Sequence, residues 1–102
     1  MPESGPTMWI LREEGDEPRM LRLPPGAIRT VGRGRRSDFV MSDPMMSRVH
    51  CRLVASEAEL VVEDLDSTNG TFVNGGRVET IALQEGDRLR IGRSEFTVVR
   101  DA

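Results

Sequence analysis

Residues 66–75 read Asp-Ser-Thr-Asn-Gly-Thr-Phe-Val-Asn-Gly, and this run holds the densest set of hydrogen-bonding side chains suited to a ligand. Ser67, Thr68 and Asn69 place two hydroxyls and a carboxamide in one turn, where they can present donors to a group outside the protein. Two Asn-Gly pairs, Asn69-Gly70 and Asn74-Gly75, flank the strand-like Thr71-Phe72-Val73. Asn-Gly tolerates the positive φ that a tight turn demands. The second pair needs no reading beyond a hairpin. The first, with its donors, suits a grip on a phosphate or on a foreign peptide backbone.

Two further segments carry chemistry. Gly32-Arg33-Gly34-Arg35-Arg36 combines glycine, which lets backbone approach a ligand, with guanidinium forks that match phosphate oxygens in pairs. Ser47-Arg48-Val49-His50 sets a hydroxyl three residues from an imidazole. A nucleophile and its base meet in space rather than in adjacent sequence, and the Gly-x-Ser-x-Gly elbow is absent, so His50 reads as hydrogen-bonded structure. Taken singly, each segment also reads as an ordinary solvated or capped turn. Together they supply a guanidinium, hydroxyls and a carboxamide, with no paired acid and base. Such a set binds an anion without transforming it.

Composition narrows the field. A chain of 102 residues is one domain with room for a modest core. All 14 basic residues are arginine, which removes lysine-based catalysis and Walker-type phosphate binding. One cysteine, Cys51, excludes an internal disulfide and fits a reducing cytoplasm; with one histidine it also argues against a zinc site. Neither a metal nor another cofactor is expected. A formal net charge of −3 and 4% aromatic residues disfavour a nucleic-acid binder, which needs a basic face or stacking rings. No apolar run approaches the roughly 18 residues of a membrane span, and no signal peptide is visible.

The elements that must position these groups are short. Residues 1–7 read as a flexible tail. Strand-like pieces follow at Met8–Leu11, Met20–Leu23, Ile28–Val31, Phe39–Met41, Cys51–Ala55, Glu59–Asp64, Thr71–Val73, Arg77–Val78, Arg88–Ile91 and Ser94–Val99. Their alternation has period two, and no window sustains a helical stripe. Frequent short strands with glycine turns predict an all-β sandwich or barrel with its function in the loops at one end.

Four motifs in this order, Gly32-Arg33, Ser47-x-x-His50, Asp66-x-Thr68-Asn69-Gly70-Thr71 with Asn74-Gly75, and Leu83-x-x-Gly86-Asp87-x-Leu89-x-Ile91-Gly92, resemble the forkhead-associated (FHA) domain family. The resemblance covers roughly residues 8–100, and the four motifs in sequence are highly specific. It implies a β-sandwich of two twisted, mainly antiparallel sheets of about eleven strands, with loops at one end that bind phosphothreonine peptides. By resemblance, Arg33 and Ser47 contact the phosphate, and Thr68 adds a hydroxyl or backbone contact. Asn69 holds the peptide backbone, and Arg48 lies where another polar or basic contact is common. Gly32 and Gly70 form turns, His50 braces the loops, and Asn74-Gly75 makes the hairpin behind them. Met45-Met46 predicts tolerance for apolar residues after the phosphothreonine.

The implied partner is a Thr-phosphorylated protein linked to a Ser/Thr kinase, met by a monomer in signalling. The alternative is a phosphate-independent interaction scaffold that uses a sheet face.

Overall fold

A computed structural model describes residues 7–101, and every regular element within them is a strand. All of the expected tail except Thr7 lies outside the described residues. The strands are β1 (Met8–Glu13), β2 (Met20–Leu23), β3 (Ile28–Gly32), β4 (Phe39–Val40), β5 (Cys51–Ala55), β6 (Leu60–Asp64), β7 (Thr71–Val73), β8 (Gly76–Val78), β9 (Thr80–Leu83), β10 (Arg88–Ile91) and β11 (Ser94–Asp101). They form a six-stranded sheet, β2-β1-β11-β10-β7-β8, and a five-stranded sheet, β4-β3-β5-β6-β9. Every paired neighbour in the described register is antiparallel except β3 and β4.

Period-two alternation dictates this packing. Trp9 and Leu11, Leu89 and Ile91, and Phe96 and Val98 point inward from the first sheet. Val31, Cys51, Leu53, Leu60 and Val62 meet them from the second. The inner residues also line up in rows: Leu21, Leu11 and Val98 are register partners across β2, β1 and β11, as are Leu89 and Phe96 across β10 and β11. Burial of Cys51 pushes its thiol well above the usual range, and Asp64 nearby adds to this, so the sulfur is an inert core atom.

Two elements depart from the sequence expectation. Strand β9 goes unpredicted because it lies at a sheet edge, where only Leu83 is buried and Thr80, Ile81 and Ala82 are exposed, so no alternation shows. Met41, expected to close a strand with Phe39, leaves the ladder but stays in the core, and its N–H donates to the Gly32 carbonyl at 2.8 Å.

Register decides where the loops emerge. Phe39, Val31, Cys51 and Asp64 form one row across β4, β3, β5 and β6 at the end of the second sheet. Just beyond that row leave the β3–β4, β4–β5 and β6–β7 loops, which carry the three candidate segments. Two carboxylates fasten them. Asp43, buried in the β4–β5 loop, accepts from the N–H groups of Met45 and Arg93 and from the Ser94 hydroxyl, each at 2.9 Å, which ties this loop to the β10–β11 turn of the other sheet. Asp64 accepts from the Ser67 N–H at 3.1 Å, the Ser67 hydroxyl at 2.5 Å and the Thr71 hydroxyl at 2.7 Å, which folds the β6–β7 loop.

Burial alone pushes both carboxyls up, but the hydrogen bonds together hold each below the ordinary aspartate value of 3.8. A carboxylate with a lowered folded value adds stability that is full above 3.8 and is lost as pH falls through the lowered value. In urea unfolding, wild type should therefore exceed Asp64→Asn by a constant margin near neutrality, and the margin should shrink below about pH 4. In the core, Phe96→Ala should cost about 3–5 kcal/mol in the same assay.

Candidate functional site

The β3–β4 loop lies along the β4–β5 loop like a short extra ladder. The Arg33 N–H donates to the Ser47 carbonyl at 3.1 Å, and the Gly34 N–H donates to the Arg48 carbonyl at 2.9 Å. The Ser37 hydroxyl donates to that same Arg48 carbonyl at 2.7 Å. Gly32 makes this contact possible. It is the buried last residue of β3 rather than a turn former, and a Cβ placed on it would come within 2.2 Å of the Arg48 carbonyl oxygen.

His50 joins the remaining segments. Its ring is fully buried, and its Nδ1 accepts from the Ser47 N–H at 3.0 Å, so the proton sits on Nε2, which donates to the Gly70 carbonyl at 2.8 Å. Its own N–H donates to the Val31 carbonyl, and its carbonyl accepts from the Leu65 N–H. Gly70 has φ +89°, the left-handed turn conformation expected of it, and the Arg77 side chain covers it. Asn74 and Gly75 have φ values of 51° and 86° and turn the β7–β8 hairpin in two residues.

On this frame the exposed groups converge on one short segment, Met45–Ser47. The Arg33 Nε–H donates to the Met46 carbonyl at 2.8 Å, and the terminal guanidinium nitrogens make no bond among the described residues. The Ser47 Oγ accepts from the Thr68 N–H at 3.0 Å, so its own hydrogen remains to be donated outward. The Asn69 Nδ2 donates to the Met45 carbonyl at 2.8 Å, leaving the carboxamide oxygen and a second N–H. The Thr68 hydroxyl is exposed, while its N–H is committed to Ser47. Arg48 contributes its carbonyl to the loop frame, and its exposed side chain stands apart beside Arg35 and Arg36.

Two further sequence expectations are corrected here. Ser67 does not face a ligand: it is buried, donates to Asp64 and accepts from the Gly70 N–H at 3.0 Å. Met46 is a core residue, so of the methionine pair only Met45 is exposed. Sequence reasoning missed Ser37, Asp43 and Asp64 as loop fasteners. Only Asp64-x-x-Ser67 carried a signal, since an acceptor three residues before a serine can close a turn.

The surface so formed presents guanidinium and hydroxyl donors to solvent, while Asp38, Asp43 and Asp64 accept bonds within the protein. Both His50 ring nitrogens are bonded to backbone groups, so the ring is no base for the Ser47 hydroxyl. The arrangement can hold an oxyanion by charge-assisted hydrogen bonds.

The family model described as the FHA domain matches residues 29–92. The ABC transporter ATP-binding/permease protein Rv1747 of Mycobacterium tuberculosis is 44% identical over 74 residues, which take in 72% of this chain and 8% of that protein. The matched segment spans less than half the length of the curated relatives it resembles. A solved structure from a study of phosphothreonine-dependent FHA domain interactions superposes with TM-score 0.84 at 33% identity, covering 90% of this chain and 95% of that one. Mycobacterium tuberculosis EmbR, solved with a low-affinity phosphopeptide, superposes with TM-score 0.82 at 30% identity over 90% of this chain and 24% of its own. With the family model matching well over half of its length and the same two-sheet sandwich in these structures, the chain belongs to the FHA domain family.

Proposed function

We propose that this FHA domain, read over residues 8–100, binds threonine-phosphorylated peptides at the crest formed by Arg33, Ser47, Thr68 and Asn69, and so serves reversible, Ser/Thr-kinase-dependent protein–protein interaction. The carrying observation is Ser47: its Oγ takes the Thr68 N–H, which leaves the hydroxyl hydrogen uncommitted beside an arginine anchored on the adjoining Met46 carbonyl. Both donors are thus pre-set by backbone, and little side-chain freedom is left to lose on binding. The Asn69 carboxamide, tied to Met45 by one N–H, has acceptor and donor left for a peptide backbone. The phosphothreonine of a bound peptide would carry about −1.5 to −2 charges and strong acceptors to meet them. A few charge-assisted bonds, less ordering and desolvation, correspond to affinity near micromolar, about −8 kcal/mol.

FHA domains are interaction modules rather than enzymes, and we read this one as binding without turnover. No helix among the described residues is long and apolar enough to cross a membrane. We read the domain as a cytoplasmic monomer with no nucleic-acid partner, in keeping with its free, buried Cys51 and its net negative charge.

One observation favours a second reading. Ile28, Val54, Val61 and Ala82 form a register row across the outer face of the five-stranded sheet, with Ile28 and Ala82 exposed. Such a face could hold a partner without phosphate. Binding that survives phosphatase treatment of the partner would favour it over the crest.

Arg33→Ala and Ser47→Ala should each weaken binding of a phosphothreonine peptide by tenfold or more, the worth of about one charge-assisted bond, with the unfolding midpoint little changed. Calorimetry showing wild-type affinity in both variants would refute the site. Gly32→Ala removes none of the proposed ligand groups but drives the Arg48 carbonyl away and so displaces the loops that position them. It should weaken the same peptide and also lower stability by about 1–3 kcal/mol, separating a positioning residue from a contact.

A further inference from the structure

The β3–β4 side of the crest holds more positive charge than one phosphate needs. Residues 32–50 contain Arg33, Arg35, Arg36 and Arg48 against only Asp38 and Asp43. Both aspartates are occupied within the protein. Asp38 accepts from the Thr30 N–H at 2.8 Å and the Thr30 hydroxyl at 3.2 Å, and Asp43 fastens the β4–β5 loop. The ion pairs among the described residues are Arg19–Glu13, Arg52–Glu63 and Arg88–Glu95, so none of the four arginines at this end has a carboxylate partner there. In a chain of net charge −3, this concentration is local.

The concentration is also built on a fixed frame. The Ser37 N–H donates to the Gly34 carbonyl at 3.0 Å, closing a turn whose two central residues are Arg35 and Arg36. Central turn positions project their side chains outward. The turn cannot swing freely, because the Gly34 N–H and the Ser37 hydroxyl both bond to the Arg48 carbonyl. Gly34 packs so closely on Arg48 that a Cβ there would meet the Arg48 Cβ at 3.0 Å. Arg35, Arg36 and Arg48, with Gly34 and Val49, line a hollow of about 500 Å³. Like charges held near one another repel, and an anion between them relieves that repulsion while accepting paired guanidinium bonds. The hollow is lined by the β3–β4 and β4–β5 loops, and Thr68 and Asn69, which reach the Met45–Ser47 segment from the β6–β7 loop, are not among its lining residues.

We infer that this hollow is a second anion subsite, which receives a carboxylate or a second phosphate carried by the same peptide within a few residues of its phosphothreonine, on the flank away from Asn69. The inference rests on the proposed function. It assigns the Arg48 side chain to the hollow with Arg35 and Arg36, and leaves Arg33 and Ser47 to the phosphothreonine itself.

The test compares wild type with an Arg35→Ala/Arg36→Ala double variant by fluorescence anisotropy. The probes are one phosphothreonine peptide with uncharged flanks and versions bearing glutamate or a second phosphothreonine on either flank. On one flank only, the second phosphate should tighten binding to wild type about tenfold, the combined worth of two exposed ion pairs, and glutamate should do so less. Both gains should vanish in the double variant, which should bind the uncharged-flank peptide as wild type does, and should shrink as salt rises. A gain from phosphate alone assigns the hollow to a phosphorylated neighbour; a gain from both assigns it to acidic groups generally. No gain on either flank, or a gain that survives in the double variant, overturns the subsite. Failure of the uncharged-flank peptide to bind wild type overturns the proposed function instead, and this inference with it.

Discussion

The loop end of this domain hangs on one buried imidazole. His50 is the last residue before β5, and its backbone and ring reach the Val31 end of β3, the Ser47 N–H, the β6–β7 loop at Leu65 and the Gly70 carbonyl. Both ring nitrogens are partnered, which is what permits a polar ring to lie fully buried. Removing it would leave a buried donor and a buried acceptor unmade, at about 1–3 kcal/mol each. The same ring therefore stabilises the sandwich end and sets the spacing between the segments bearing Ser47 and Asn69.

Around that ring the loops are held by backbone more than by side chains. The Arg48 carbonyl takes two donors from the β3–β4 loop, and the Met45 and Met46 carbonyls orient Asn69 and Arg33. Two carboxylates fasten the outer ends, with buried Asp43 reaching the opposite sheet and half-buried Asp64 folding the β6–β7 turn. The consequence is a separation of charge by direction. Asp38, Asp43 and Asp64 accept hydrogen bonds within the protein, and Arg33, Arg35, Arg36 and Arg48 have no carboxylate partner among the described residues, so an acidic chain carries a basic surface on the β3–β4 side of this end.

The legible part of the fold was its alternation. Leu89 and Ile91, Phe96 and Val98, and Leu60 and Val62 each announce a shared face, and in the structure all six are buried. Strand β9 was not legible, because an edge strand with one buried residue leaves no period-two trace. Asn74-Gly75 was readable as a hairpin because both residues must take positive φ, a demand local to the dipeptide. Ser67 was misread for the opposite reason: its type suits a ligand contact or a loop fastener equally, and only the position of Asp64 decides between them.

The same division holds for the protein as a whole. By itself the sequence determined what depends on near neighbours along the chain: period-two strands, glycine turns, the absence of lysine, and the motif order that marks the family. Tertiary structure alone decided what depends on register between distant strands. It set Asp64 level with Cys51 and Val31, so that three loops leave the sheet at one edge. It turned Ser67 and Met46 inward and left Arg33, Ser47, Thr68 and Asn69 outward. It brought Arg48 beside Arg35 and Arg36, residues a dozen or so apart in sequence, because Gly32 and Gly34 lack the Cβ atoms that would keep those backbones apart.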